Sequence, residues 1–312
     1  MFKDIIPPVD KKILEKELSK DKFIRTTNNK SNEIYIVNNN DSPNIIREIG
    51  RLREITFRRA GGGTGNEIDI DEFDTCNSPY NQLIVWDPKD RELVGGYRYI
   101  RCGDAEKNSK GEYMLATAHL FNYSDIFEKY YMPYTIELGR SFVQPLYQPL
   151  NDPRKGLYAL DNIWDGLGAI VIDNPDIRYF FGKVTMYLNF NQEARDMILY
   201  FLHKYFPDRE NLVAPRFPRG IQTDTRKLKA IFDSNSYQED YKILVQKVRK
   251  HNENIPPLVN AYMNLSPSMI TFGTALNDTF GDVEETGILV TISDIYDIKK
   301  ERHLHSYKNK NK

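Results

Sequence analysis

The sequence predicts an α/β fold: a mixed central sheet flanked by helices, with a helical insertion late in the chain. Three observations carry that expectation. β-rich runs at 82–86 and 92–101 flank Asp87-Pro88-Lys89-Asp90 and read as an antiparallel hairpin. Before them, apolar residues recur at helical spacing. After them, strand-like and helix-like segments alternate, the order from which layered α/β domains are built.

Taken in order, the first clear element is an amphipathic helix opened by Ser42 and Pro43, an N-cap and first-turn pair. Ile45, Ile46, Ile49, Leu52 and Phe57 form its apolar stripe, and Gly61-Gly62-Gly63 ends it. The hairpin follows, then a strand at 134–144. A helix at 162–172 carries Gly166 and Gly168, which permit close packing. A strand at 178–188, helices at 192–205 and 238–251, and a final hairpin of 269–276 with 287–292 complete the reading. The expected organisation is an N-terminal extension (1–41), one α/β domain (42–298) with its helical insertion at about 207–255, and a basic tail (299–312).

Composition bounds the function. Forty-three basic against forty-four acidic residues leave a net charge of −1, so no global attraction to nucleic acid exists. Hydrophobic residues at 40% and charged residues at 28% fit a folded soluble protein rather than a disordered one. Cys76 and Cys102 cannot make a disulfide framework. No secretory h-region opens the chain, and the longest uncharged stretch, 254–277, is broken by Pro256, Pro257 and Pro267. The expected location is cytoplasmic, with peripheral contact at the inner membrane as an option.

Several chemistries fail on their motifs. Gly139-Arg140-Ser141-Phe142-Val143 lacks the second glycine of a nucleophile elbow. Gly61-Gly62-Gly63-Thr64-Gly65 has no following Lys-Ser/Thr and no preceding strand, so it reads as a flexible joint before a phosphate cradle. The histidines are isolated or lie in the tail, and no metal site is expected. Between 61 and 80 the chain carries Glu67, Asp69, Asp71, Glu72 and Asp74 and no base. Two readings stand for this segment: a site for a cationic substrate and a solvated acidic loop.

A more specific combination is Leu52-Arg53, Phe57, Asp71 with Asp74, Arg98 after Gly95-Gly96, and Glu137-Leu138-Gly139-Arg140. In order and spacing it resembles the N-acyltransferases of the GNAT superfamily that make ornithine and glycine lipids, often labelled hemolysin-like. These in turn are similar to acyl-homoserine lactone synthases, whose Leu-Arg-x-x-x-Phe, Asp-x-x-Asp, Gly-x-Arg and Glu-x-x-Arg motifs fall on the same residues. The resemblance is best over 42–207, and 256–298 looks like the continuation in the glycine-lipid type.

The resemblance implies a GNAT-like sheet in which 134–144 is the central strand. It also implies a long-chain, 3-hydroxylated or plain, acyl group moved from a thioester to the amine of glycine or ornithine. No bound cofactor is expected, since an acyl-phosphopantetheine thioester serves as co-substrate, on acyl carrier protein or coenzyme A. Arg154-Lys155-Gly156-Leu157-Tyr158-Ala159 is a degenerate form of the superfamily's pyrophosphate loop, Gln/Arg-x-x-Gly-x-Gly/Ala, with its one glycine in the wrong place, which favours the carrier protein as donor and partner.

Roles follow from the chemistry of amide formation, which needs an uncharged amine, a polarised carbonyl and a protonated leaving thiolate. Glu137 is the expected general base and Gly139 a backbone donor to the carbonyl. Arg140 orients Glu137 or binds a carboxylate. The resemblance implies that Arg53, Phe57, Asp71, Asp74 and Arg98 line the substrate site, and the two aspartates are expected to hold the ammonium group. Tyr200 is a candidate proton donor to the thiolate. Arg216, Arg219 and Arg226, with Lys227 and Lys229, are the expected docking surface for an acidic carrier. The rival readings are a small-molecule acetyltransferase using acetyl coenzyme A and a non-enzymatic membrane-associated, hemolysin-like protein.

Overall fold

A computed structural model describes residues 2–149 and 151–307. In chain order the helices are α1 (Lys11–Glu17), α2 (Pro43–Ala60), α3 (Glu72–Thr75), α4 (Pro153–Gly156), α5 (Ala159–Asp173), α6 (Gln192–Tyr205), α7 (Thr225–Ile231), α8 (Tyr237–Lys250), α9 (Pro257–Met263) and α10 (Asp297–Lys300). The strands are β1 (Phe23–Thr26), β2 (Glu33–Val37), β3 (Asn81–Asp87), β4 (Glu92–Arg101), β5 (Phe121–Tyr123), β6 (Thr135–Val143), β7 (Tyr179–Met186), β8 (Val213–Pro215), β9 (Ile270–Asn277) and β10 (Val283–Thr291). The architecture is the mixed α/β class expected, with sheet strands flanked by helices.

The chain forms two compact units, the first from the described residues of Met1–Glu106, Tyr134–Arg178 and Asp297–Lys312, the second from Lys107–Pro133 and Tyr179–Tyr296. In the first, β1, β2, β3, β4 and β6 pair in that order, each antiparallel to its neighbour. The segment 1–41 is therefore part of the sheet: β2 lies on β3 along Glu33 to Val37.

Two helices cover the two faces of this sheet. On one, α2 buries Ile45, Ile46, Ile49 and Leu52, each worth about 1.5–3 kcal/mol of transfer out of water. On the other, α5 approaches so closely at Gly166 that an added Cβ would stand 2.6 Å from a Leu83 methyl. Gly168 packs against the carbonyl of His303, so the first residues of the tail lie on α5, where His303 Nδ1 is 2.8 Å from Asp165. The residues of the tail beyond 307 lie outside the described part.

Two local expectations are corrected. Ser42 makes no cap hydrogen bond to α2; the carboxylate of Glu17, from α1, accepts from the N–H groups of Asn44 and Ile45 instead. The glycine-rich loop is no free joint. Gly61 closes α2 in the left-handed conformation, and the loop folds around the Glu54 carboxylate, which accepts from Thr64 N, Thr64 Oγ1 and Gly65 N. The loop does cradle an oxyanion, and the anion is the protein's own.

In the second unit β7, β10 and β9 pair antiparallel, and β5 pairs with β8. The segment read as a helical insertion contains the strand β8 as well as α7 and α8, and Pro218 bridges Ala275 on β9.

Candidate active site

The site is built where β4 meets β6. Their pairing runs Arg101 with Ile136, Ile100 with Glu137, Tyr99 with Leu138 and Arg98 with Gly139, and then shifts by one residue before Gly96 meets Phe142. Arg140 and Ser141 thus stand opposite Tyr97 alone. Such a bulge bends the strand and leaves an unpaired residue. Arg140 takes the strain, with φ +48°, unusual for a branchless charged residue in a strand.

Alternation sets the face. Tyr80 just before β3, Gln82 within it, Arg98 and Ile100 on β4, and Glu137 and Gly139 on β6 share the side covered by α2. Glu137 is 1% exposed, and the Tyr80 hydroxyl donates to its Oε2. Gly95 and Gly96 bring β4 against its neighbours, since a Cβ at either would collide with the carbonyl oxygen of Phe142 or Leu83.

Beside this pair, three guanidinium groups meet three carboxylates. Arg53 Nη1 donates to both oxygens of Asp74 at 3.2 Å, and its Nη2 reaches Gln82 Oε1. Gln82 Nε2 donates to Asp74 Oδ1 at 2.9 Å, and Arg98 Nη1 donates to Asp74 Oδ2 at 3.1 Å and to Asp71 Oδ1 at 2.5 Å. Arg140 Nε stands 3.0 Å from Asp69 Oδ2, with its Nη2 3.7 Å from Asp71. The Arg98 guanidinium also lies over the rings of Tyr80 and Phe73, at 5.2 and 5.6 Å.

Charge and burial compete differently at each carboxylate. Burial alone would raise the Asp74 carboxyl, but Arg53 and Arg98 hold it below its ordinary value of 3.8. At Asp69 the balance reverses: fully buried, its carboxyl is raised by desolvation in spite of Arg140. Burial, with the Glu137 charge added, pushes the Cys102 thiol well up.

The sequence-predicted residues Arg53, Phe57, Asp71, Asp74, Arg98, Glu137 and Arg140 therefore converge in the first unit, but with different parts. Asp74 is corrected as an ammonium holder: its oxygens already accept from Arg53, Gln82, Arg98 and the Asp71 N–H. Arg53 and Arg98, 1% and 2% exposed, are interior braces that hold the acidic segment on the sheet. Phe57 is buried on α2. Asp71 and Arg140 keep partly open side chains. Of the acids in this segment, only Glu67 and Glu72 are thus exposed, while Asp69 and Asp74 are buried.

Tyr80, Gln82 and Asp69 belong to the site and carried no motif. The docking candidates lie in the second unit and are spread over it. Arg216 donates to the carbonyl of Ala118, Arg219 meets Glu284 at 3.4 Å, and Arg226 on α7 pairs with Asp224. Tyr200 on α6 stacks on Phe232.

The bulged strand and its buried carboxylate stand in an α/β sheet of the kind expected for the GNAT class of acyltransferases, and residues 52–151 match the acetyltransferase (GNAT) domain family. The chain is 54% identical over 306 residues to the glycine N(alpha)-acyltransferase of Phocaeicola vulgatus, covering 98% of this chain and 94% of that protein. To the glycine N(alpha)-acyltransferase of Bacteroides thetaiotaomicron it is 53% identical, over 98% of this chain and 91% of that one. The chain belongs to this family of GNAT-superfamily N-acyltransferases. No solved structure matches it.

Proposed function

We propose that the chain transfers a long-chain acyl group, plain or 3-hydroxylated, from the phosphopantetheine thioester of an acyl carrier protein to the amine of glycine, as a step in making amino-acid lipids. The acceptor rests on the two relatives, both glycine N(alpha)-acyltransferases at more than half identity. Ornithine falls behind on the same ground.

The catalytic step rests on one observation, the Glu137 carboxylate held by the Tyr80 hydroxyl two residues before Gly139 on the bulged strand. Glycine arrives as an ammonium ion, and the acid proposed to receive it is Asp71, whose Oδ1 accepts from Arg98 and the Phe73 N–H but whose partly open side chain leaves Oδ2 3.7 Å from Arg140. Glu137 takes the ammonium proton, relayed through Tyr80 or water, and frees the nitrogen lone pair. The amine attacks the thioester carbonyl while backbone N–H groups around the bulge steady the oxyanion. That attack forms the C–N bond; collapse of the tetrahedral adduct breaks the C–S bond, the nitrogen gives up its second proton to water, and the proton held on Glu137 returns through the same relay to the departing thiolate.

The test is direct. Purified enzyme with 3-hydroxypalmitoyl acyl carrier protein and glycine should release thiol and form an N-acylglycine seen by mass spectrometry. Ornithine and the corresponding coenzyme A thioester should be poorer by at least tenfold in kcat/KM. No thiol release with glycine would overturn the acceptor, and equal use of coenzyme A the donor. No helix among the described residues is long and apolar enough to cross a membrane, so contact with lipid is proposed only as peripheral, tested by vesicle flotation.

A further inference from the structure

In the first unit, a cleft of about 780 Å³ opens between the N-terminal segment, the outer stripe of α2 and the ends of β4 and β6. Its size falls within the roughly 300–1,000 Å³ usual for small-molecule sites. It lies on the face of α2 marked by Glu48, Arg51, Leu52, Ile55 and Arg59, a spacing of three and four residues that repeats on one side of a helix. Arg53, in the catalytic network, projects from another side.

The lining divides by chemistry. Leu14, Leu52, Ile55, Leu93, Pro145 and Leu146 supply apolar surface, and Leu146 is 57% exposed, a large apolar side chain left in water. Around it stand five bases and three acids. Most neutralise one another: Arg51 with Glu48 at 2.6 Å, Lys11 with Glu92 at 3.0 Å, and Arg91 with Glu15 outside the lining. Glu48 is further occupied by the Val9 N–H, and Asp10 caps α1 by accepting from Lys12 N. Arg59 and the Lys12 ammonium make no ion pair among the described residues, and both are exposed at the cleft.

We propose that this cleft binds an amphipathic carboxylate, a long acyl chain with an anionic head. The apolar floor takes the chain, since each methylene buried there leaves water, and Arg59 with Lys12 takes the head. A neutral ester would lose the head contact, and a cationic amphiphile would meet two like charges. The inference stands on the cleft's own lining and not on the proposed acceptor or donor. Two sources share this chemistry: a free fatty acid and an N-acyl amino acid.

Calorimetric titration of the full chain with laurate, N-lauroylglycine, methyl laurate and dodecyltrimethylammonium, all at submicellar concentration, tests it. Both carboxylates should bind saturably, and the ester and the cation at least tenfold more weakly. Tighter binding of N-lauroylglycine assigns the cleft to the N-acyl amino acid, and equal binding assigns it to long-chain carboxylates generally. Arg59→Glu should raise Kd about tenfold and Leu146→Asp should do the same. Both positions are exposed, so unchanged melting temperatures will show that the fold is intact. Absence of saturable carboxylate binding, equal affinity for the ester, or wild-type affinity in both variants would overturn the proposal.

Discussion

The Tyr80 hydroxyl donates to Glu137 Oε2 in the interior of the first unit, so the carboxylate at the centre of β6 is held by a residue that precedes β3 by one position. Glu137→Gln keeps the shape and removes the proton acceptor. Turnover should drop by roughly a hundred- to ten-thousandfold, with the fold intact. Tyr80→Phe leaves the carboxylate one donor short, which costs about 1–3 kcal/mol of stability, and should lower kcat with little change in KM for glycine. Steady-state kinetics beside thermal melts separate the two effects. A Glu137→Gln enzyme that is folded and fully active would remove Glu137 from the chemistry.

Asp74 governs a different property. Because its native carboxyl titrates below 3.8, the unfolded chain binds a proton at pH values where the native chain does not. The stabilisation is complete above the unfolded value and is lost as pH falls through 3.8 and below. Asp74→Asn leaves Arg53 and Arg98 buried without that charge, so at pH 7 it should cost about 3–5 kcal/mol. The gap between wild type and variant should narrow as pH is lowered from 5 to 2, followed by urea unfolding. A constant gap would mean that another carboxylate carries the acid sensitivity.

Arg140 joins a strained backbone to a forked side chain. The fork reaches toward Asp69 and Asp71 together, a geometry that a lysine point charge cannot reproduce. Arg140→Lys should therefore lower kcat/KM at least tenfold while shifting the melting temperature by only a few degrees. Arg140→Gly relieves the positive φ and loses the fork, so it should be no less stable in its backbone yet equally impaired. Wild-type kinetics in the lysine variant would make Arg140 structural only.

Much of this site was legible because its charges sit in short motifs, and the rest was hidden by bulges. Counting back from the turn pairs Asp87 with Glu92 and Trp86 with Leu93, which would place Gln82 opposite Tyr97. A register shift between Val85 and Trp86 puts Gln82 opposite Arg98 instead. A one-residue slip exchanges the two faces of a strand, so the Gln82, Arg98 and Asp74 cluster could not be assembled from sequence. Asp69 was hidden for another reason: it is one of five acids between 67 and 74, and only the fold shows that it is buried against Arg140. The α2 boundaries followed from Pro43 and Gly61, yet the carboxylate that caps α2 is Glu17, 28 residues before Ile45, a contact no local pattern encodes.

The proposed carrier surface can be tested more sharply once each cation is placed. Arg219 contacts Glu284, which also accepts from the buried Arg195, so reversing Arg219 would disturb the interior of the second unit and confound binding with folding. Arg216 is tied to backbone carbonyls. Arg226 has a side chain 91% exposed, and Lys229, one turn along α7, is exposed as well, so these two can meet an acidic carrier without reorganising the fold. Rim charges act chiefly on encounter rate and its salt dependence, and the screening length shrinks from about 10 Å at 0.1 M to about 3 Å at 1 M. The Arg226→Glu, Lys229→Glu enzyme should thus lose roughly tenfold in kcat/KM for acyl carrier protein at low salt, converge with wild type at 1 M, and use a short pantetheine thioester normally. A double variant indistinguishable from wild type at low salt would place carrier docking away from α7 and shift weight to Arg216 or to coenzyme A as donor.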